Sequence, residues 1–264
     1  MSVIKKIGFI LSFLLVFGLF PAANAEQAAE NAFLEEIRLL ESMGMVRHAE
    51  EFSKSMARGE FAWILCQLKG KNQPAGETQY FSDVDAQNEY FGAISFVYES
   101  GLMSGYGDGS FKPGTEISCN EAAAVLVNVL GYGAKAEVLG GYPAGYVRMA
   151  SEISLLKGVQ YGGAAYISRE QAFKMVYNSL FIAIAQQTSF GDTVYYDSAE
   201  GETLLTLFLD MDYTKGILED NGITALKGKS NIRENAILVG GTLIETGGKD
   251  VSGLLGRRPE WRFP

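Results

Sequence analysis

Apolar residues recur at helical spacing in three separate stretches of the chain: Phe61, Ile64, Leu65 and Leu68; then Ala122, Val125, Leu126 and Val129; then Phe173, Val176, Tyr177 and Leu180. Each set predicts an amphipathic helix that buries one stripe. Ahead of each lies another apolar stretch that ends in a glycine followed by an apolar residue, at Gly44-Met45, Gly101-Leu102 and Gly158-Val159. A glycine in that position predicts a left-handed helix C-cap. The three glycines are spaced 57 residues apart, and a constant period predicts a repeat protein whose units close a core only by packing on one another. The units run over 26–79, 80–135 and 136–187.

The starts of the second helices agree with this division. Ser118 with Glu121, and Ser168 with Gln171, have the capping-box spacing, in which the hydroxyl accepts from the third helical N–H and the longer side chain reaches back. The first unit keeps Glu60 but has Ala57 at the cap, so it is the degenerate copy.

From Ser189 the helical period stops. Glu202 to Phe208 predicts a short helix, and Tyr213–Asp220, Ile223–Leu226, Ala236–Val239 and Thr242–Glu245 predict short strands. Asn221-Gly222 and Gly240-Gly241 stand where tight hairpin turns need positive φ. Residues 188–264 are therefore expected to form a small β-rich domain beside the repeats. Its last segment, GRRPEWRFP, has neither strand alternation nor a helix period, and truncation there is the expectation.

The N-terminus reads as a signal peptide. Lys5 and Lys6 precede a 14-residue apolar run from Ile7 to Phe20, and Ala23-Asn24-Ala25 predicts cleavage before Glu26. That run is shorter than the ~20 residues of a spanning helix, so no membrane anchor is expected after cleavage. Removing residues 1–25 takes away two lysines and no acid, leaving 20 basic and 31 acidic residues and a formal charge of −11. Such a chain is a poor ligand for nucleic acid, which demands clustered lysine and arginine.

Catalytic chemistry is sparse. The single histidine, His48, has no neighbour that would complete a nucleophilic triad. Ser154 and Lys157 have the S-x-x-K spacing of penicillin-binding enzymes, but the partner motifs are missing and the pair reads as an exposed helix face. The glycine-rich GYGDGSF at Gly105–Phe111 lacks both calcium-loop and phosphate-loop spacing. It reads as a tight turn anchored by Phe111, with ligand contact through its exposed backbone amides as the alternative. Cys66 and Cys119 are expected to be free thiols, since two cysteines make no disulfide framework. No metal, cofactor or catalytic residue is predicted.

Arg58 and Arg169 fall in the first turns of the second helices, where a positive charge opposes the helix dipole. Either an internal ion pair offsets this, or an anion binds there between the dipole, the free N–H groups and the guanidinium. In either case the side chains are expected to lie near the surface.

The stretch FSDVDAQNEYFGAISFVYESGLMSGYGDGSFKPGTEISCNEAAAVLVNVLGY, Phe81 to Tyr132, resembles the S-layer homology domain, which is usually present in three tandem copies at the surface of thick-walled bacteria. The third unit is similar to the divergent third repeat of clostridial-type members. The arginine of the family's helix opening survives as Arg58 and Arg169 but is Cys119 in unit two, and the tryptophan common after FSDV is absent. The resemblance implies a mainly helical, pseudo-threefold bundle of three helix-loop-helix repeats. It also implies a secreted cell-wall or S-layer protein that anchors non-covalently to acidic, pyruvylated secondary wall polysaccharide. Arg58 and Arg169, together with Tyr106, Asp108, Ser110 and Glu121, would be the binding residues. The alternatives are an S-layer structural subunit that contacts its neighbours, or the anchoring part of a truncated wall-active hydrolase.

Overall fold

Helix α1 spans residues 36–42 and buries Ile37, Leu39 and Leu40. It ends where Gly44, at φ +70°, allows Met45 N to reach back to Leu40 O. Helix α2 (Arg58–Leu68) is buried on nearly every side, as befits a central helix. Its Ala57 cap makes no side-chain hydrogen bond. The computed structural model describes residues 33–34, 36–47, 51–71, 78–163, 165–190, 193–198, 202–209, 212–215, 217–234, 236–245 and 260–263. The expected signal peptide and His48 lie outside the described residues.

The second unit contains α3 (Phe91–Glu99) and α4 (Cys119–Val129). Gly101 at φ +67° ends α3, and Ser118 with Glu121 forms both halves of the expected capping box on α4. A short helix α5 (Gly133–Val138) leads to α6 (Ala144–Glu152) and α7 (Arg169–Ser179). Helix α4 packs on α6 and α7, and α2 packs on α3.

Two expectations for unit three are corrected. Helix α6 stops before Gly158: Ser154 takes the left-handed cap at φ +64° and Leu155 N bonds Ala150 O, while Gly158, at φ +73°, closes a second turn. Ser168 caps α7 through Gln171 N, but the Gln171 side chain does not reach back. Its Oε1 accepts from Gln160 N at 2.6 Å instead.

The three helix starts are joined by backbone hydrogen bonds in a cycle. Met56 N donates to Ile167 O, Ile167 N to Ile117 O, and Ile117 N to Met56 O. Each helix also opens against the strand-like segment of another unit. Arg58 N donates to Thr115 O, Cys119 N to Ala165 O, and Arg169 N to Lys54 O. Phe61, Phe111, Ile117, Leu126 and Phe173 fill the core beneath this cycle.

The strands that follow are antiparallel. They comprise the hairpin β1 (Ala185–Phe190) with β2 (Thr193–Ser198), then β3 (Asp212–Lys215), β4 (Leu218–Asp220), β5 (Ala236–Val239), β6 (Thr242–Glu245) and β7 (Glu260–Phe263). They form separate sheets β1-β2, β3-β7 and β4-β5-β6, where one compact sheet was expected. The C-terminal EWRF segment is a strand paired with β3, although its sequence shows no alternation. Ile223–Leu226 is no strand: Asn221 N bonds Thr224 O, and Leu226 N bonds Glu219 O, in a tight turn with Gly222 at φ +79°. The expected β5-β6 turn at Gly240-Gly241 is present, with both glycines at positive φ.

This region is bonded to the repeats. Ala185 N at the start of β1 donates to Leu130 O, and Leu204 and Leu205 of the short helix α8 (Leu204–Phe208) join the repeats' apolar core. The helix-rich architecture with small antiparallel sheets matches the sequence pattern at that level.

Candidate functional site

The loop between α3 and α4 is held by one carboxylate and one guanidinium. Asp83, in the FSDV segment, accepts from Phe111 N at 2.9 Å and from Lys112 N at 2.7 Å. Those two bonds fix the reversal in which Lys112 adopts φ +57°. Phe111 is fully buried and stacks on Phe81 at 5.3 Å. Gly105 is required for space, because a Cβ there would lie 2.2 Å from the Phe81 ring and 2.6 Å from Ser110 O.

At the tip, Tyr106 N donates to Ser110 O and Gly109 N to Tyr106 O. Asp108 accepts from Ser110 N at 3.0 Å and from the Ser110 hydroxyl at 2.5 Å, and it pairs with Lys112 at 3.2 Å. The two Ser110 bonds, with Lys112 adding to them, hold its carboxyl down at about 2. The Lys112 ammonium lies over the Tyr106 ring at 4.2 Å. Tyr106 stays 38% exposed. The expected tight turn is there, anchored by Phe111, with Tyr106, Asp108 and Ser110 presented at its surface.

Arg58 enters from α2 beneath this loop. Its Nε donates to Phe111 O at 3.1 Å and its Nη2 to Ser104 O at 2.8 Å, while Nη1 lies 3.5 Å from Glu121 Oε1. The guanidinium also sits under the rings of Phe111 (4.8 Å) and Tyr106 (5.0 Å). Glu121 serves two units at once, since its Oε2 accepts from Ser118 N and from the Ser118 hydroxyl.

Arg169 makes the equivalent joint between the third and first units. Its Nε meets both Glu60 oxygens at 3.1 and 2.9 Å, and its Nη1 meets Glu51 Oε2 at 3.2 Å. The expected near-surface position of the two arginines is therefore corrected. Arg58 is 6% exposed and Arg169 9%, because each crosses a unit boundary and satisfies its donors there. This meets the requirement that a buried charge be paired and hydrogen-bonded.

In the second unit Cys119 occupies the arginine position and is buried, as is Cys66; both are free thiols, as expected. Burial pushes the Cys66 thiol up to about 12. Ser154 and Lys157 lie in the turn after α6, not on a helix face.

The loop clamp by Asp83 and the partners Glu60 and Glu51 were not assigned these roles from the sequence. Asp83 belongs to the FSDV segment that carries the family resemblance, and that segment was the available signal. No sequence signal joins Glu60 to Arg169 across 109 residues.

Comparison with known proteins agrees with this geometry. Residues 80–123, which contain the loop, Asp83 and Glu121, match the S-layer homology domain. The second unit thus carries a stretch similar to the S-layer homology domain, in keeping with a protein of the cell surface. The chain is 28% identical over 220 residues to the "Middle cell wall protein" of Brevibacillus brevis, an alignment covering 78% of this chain and 20% of that protein. It is 27% identical over 194 residues to the "Surface layer protein" of Brevibacillus choshinensis, covering 69% of this chain and 17% of that one. A "Cell surface protein" of Thermoanaerobacter kivui is 29% identical over 93 residues, covering 35% of this chain and 12% of that protein. The chain spans about a fifth of the length of the first two relatives. Among the described residues no helix is long and apolar enough to cross a membrane, and no group of acidic, histidine or cysteine side chains could hold a metal ion.

Proposed function

We propose that this chain anchors non-covalently to the bacterial cell wall by binding acidic secondary wall polysaccharide, pyruvylated in its acidic groups, and that it performs no catalytic step. The observation that carries the reading is the loop over Arg58. It is a rigid projection whose acids are already satisfied within the protein, so a polymer meets the Tyr106 ring, the Ser110 and Asp108 tip and the Lys112 ammonium. An amphipathic ring beside a cation suits an acidic saccharide, with the apolar face against the sugar and the charge against its carboxylate. Arg58, Glu121 and Arg169 act from beneath as positioning residues, Arg169 setting the equivalent boundary between units three and one.

The binding surface belongs to a pseudo-threefold bundle of three repeats. What supports this arrangement is the hydrogen-bond cycle through Met56, Ile117 and Ile167. A role as an S-layer subunit is the second reading, and it is favoured by the similarity to a "Surface layer protein", 27% identical in an alignment that covers 69% of this chain. In that case the anchor and the lattice contacts reside in different parts of a longer protein.

The test is binding to purified sacculi by the parent and by Tyr106→Ala and Lys112→Ala variants across a salt series. Both variants bind more weakly, and parent binding falls as salt screens the charges. Parent-like binding by both folded variants would remove the loop from the site.

A further inference from the structure

The aromatic rings of the second unit run on from the loop over Arg58 to a second exposed face. Gly105, next to Tyr106, packs its backbone against the Phe81 ring. The same ring meets Tyr98 at 5.0 Å, edge-on at 73°, and Tyr98 meets Tyr80 at 4.9 Å with the planes inclined at 49°. Phe81 is buried, but Tyr98 is 41% and Tyr80 39% exposed, as much as Tyr106 at the loop tip.

Three observations set this pair apart from tyrosines scattered singly over a surface. The two rings touch, so they offer one apolar face with hydroxyls at its edge. Among the described residues no protein cation lies over either ring, whereas Tyr106 has Lys112 at 4.2 Å and Arg58 at 5.0 Å. At the edge of the face Glu99, exposed in the last turn of α3, accepts from the Tyr80 hydroxyl at 2.7 Å. That bond, ahead of every other cause, pushes the Tyr80 phenol above its ordinary value. A negative charge in the last turn opposes the helix dipole, and no ion pair offsets it among the described residues. An ionised carboxylate accepts at about four positions, so Glu99 keeps accessible acceptor capacity beside the rings after the Tyr80 bond.

These groups fit a sugar ring without a charge. Its C–H face lies on Tyr98 and Tyr80, and its hydroxyls donate to Glu99 and to the Tyr80 oxygen. An acidic sugar would instead meet Glu99 with no cation between them. We infer that Tyr80, Tyr98 and Glu99 form a second contact on the wall polysaccharide, one that takes an uncharged sugar unit while the loop takes the acidic one. This rests on the reading that the chain binds that polymer.

The test is co-sedimentation of the full chain with purified wall sacculi across a salt series. Tyr80→Ala and Tyr98→Leu, the latter keeping an apolar contact on Phe81, each weaken binding about five-fold, the loss of one ring contact, while circular dichroism shows the parent's fold. Their loss is the same at low and high salt, because no charge is removed, whereas the loss in Lys112→Ala shrinks as salt screens it. Glu99→Gln binds as the parent does, since its amide oxygen still accepts. The inference is overturned if both tyrosine variants bind as the parent does while Lys112→Ala binds weakly, an outcome that leaves the loop reading intact. It is equally overturned if Glu99→Gln strengthens binding, which would put an acidic group on this face. Parent-like binding by Tyr106→Ala and Lys112→Ala beside weakened tyrosine variants removes the loop and leaves this face as the contact. A parent that does not sediment with sacculi refutes both.

Discussion

Arg58→Ala removes a side chain that ties α2 to the loop of the next unit through both hydrogen bonds to backbone carbonyls and an ion pair. Two carbonyls, Phe111 O and Ser104 O, lose a charged donor at 3.1 and 2.8 Å, and Glu121 loses its partner at 3.5 Å. Hydrogen bonds to charged groups contribute about 1.5–3 kcal/mol each. The pair with Glu121 adds little, because that side chain is 36% exposed and solvent screens it. Water reaching the vacated carbonyls returns part of the loss, and a net destabilisation of about 3 kcal/mol follows. At about 2–4 °C per kcal/mol for a chain of this size, the melting temperature falls by about 6–12 °C. Thermal melts followed by circular dichroism measure it. Arg58→Lys keeps the charge but cannot reach three acceptors in one plane, so it recovers less than half of the loss. A melting temperature for Arg58→Ala within about 2 °C of the parent would refute the reasoning, because it would mean that the guanidinium is not an internal joint.

Three further outcomes follow from individual contacts. Ala57→Ser supplies the cap that α2 lacks and stabilises the chain by about 1 kcal/mol, raising the melting temperature by a few degrees; no rise would mean that the α2 start cannot use a cap. Gly131→Ala destabilises by at least about 2 kcal/mol, since Gly131 sits at φ +83° and its Cβ would lie 2.4 Å from Ala185 O; hydrogen exchange of β1 and β2 should rise as that junction loosens. Native protein at pH 8 leaves both buried cysteines unmodified by Ellman's reagent, and denaturant exposes them. The Cys66 thiol is raised to about 12 from its ordinary 9.0, so its contribution to stability is complete below pH 9 and lost as pH rises through about 12.

The helices were legible because their apolar period is local information. Gly44 and Gly101 end helices where the sequence placed them, since a left-handed cap followed by an apolar residue is a short-range pattern. Gly158 failed as a helix end because Ser154, four residues earlier, took the left-handed position. Serine is seldom chosen there, and nothing local announced it. The capping box at Ser118 formed in full, whereas Gln171 found a competing donor, Gln160 N, from the loop that the fold brings alongside.

Burial of the arginines escaped the sequence for a similar reason. Their positions on the first helical turns were readable, but the acceptors that bury them, Phe111 O, Ser104 O and Glu60, belong to other units. The strands were the least legible elements. β5 and β6 have local alternation and a Gly-Gly turn, whereas β7 is defined only by its pairing with β3, a tertiary fact.

The central claim is tested most directly by co-sedimentation of the chain with purified cell-wall sacculi, before and after chemical removal of the secondary polysaccharide. The parent sediments with intact sacculi, stripping the polysaccharide abolishes this, and Tyr106→Ala weakens it without altering the melting temperature. Equal binding to stripped and intact sacculi would contradict it.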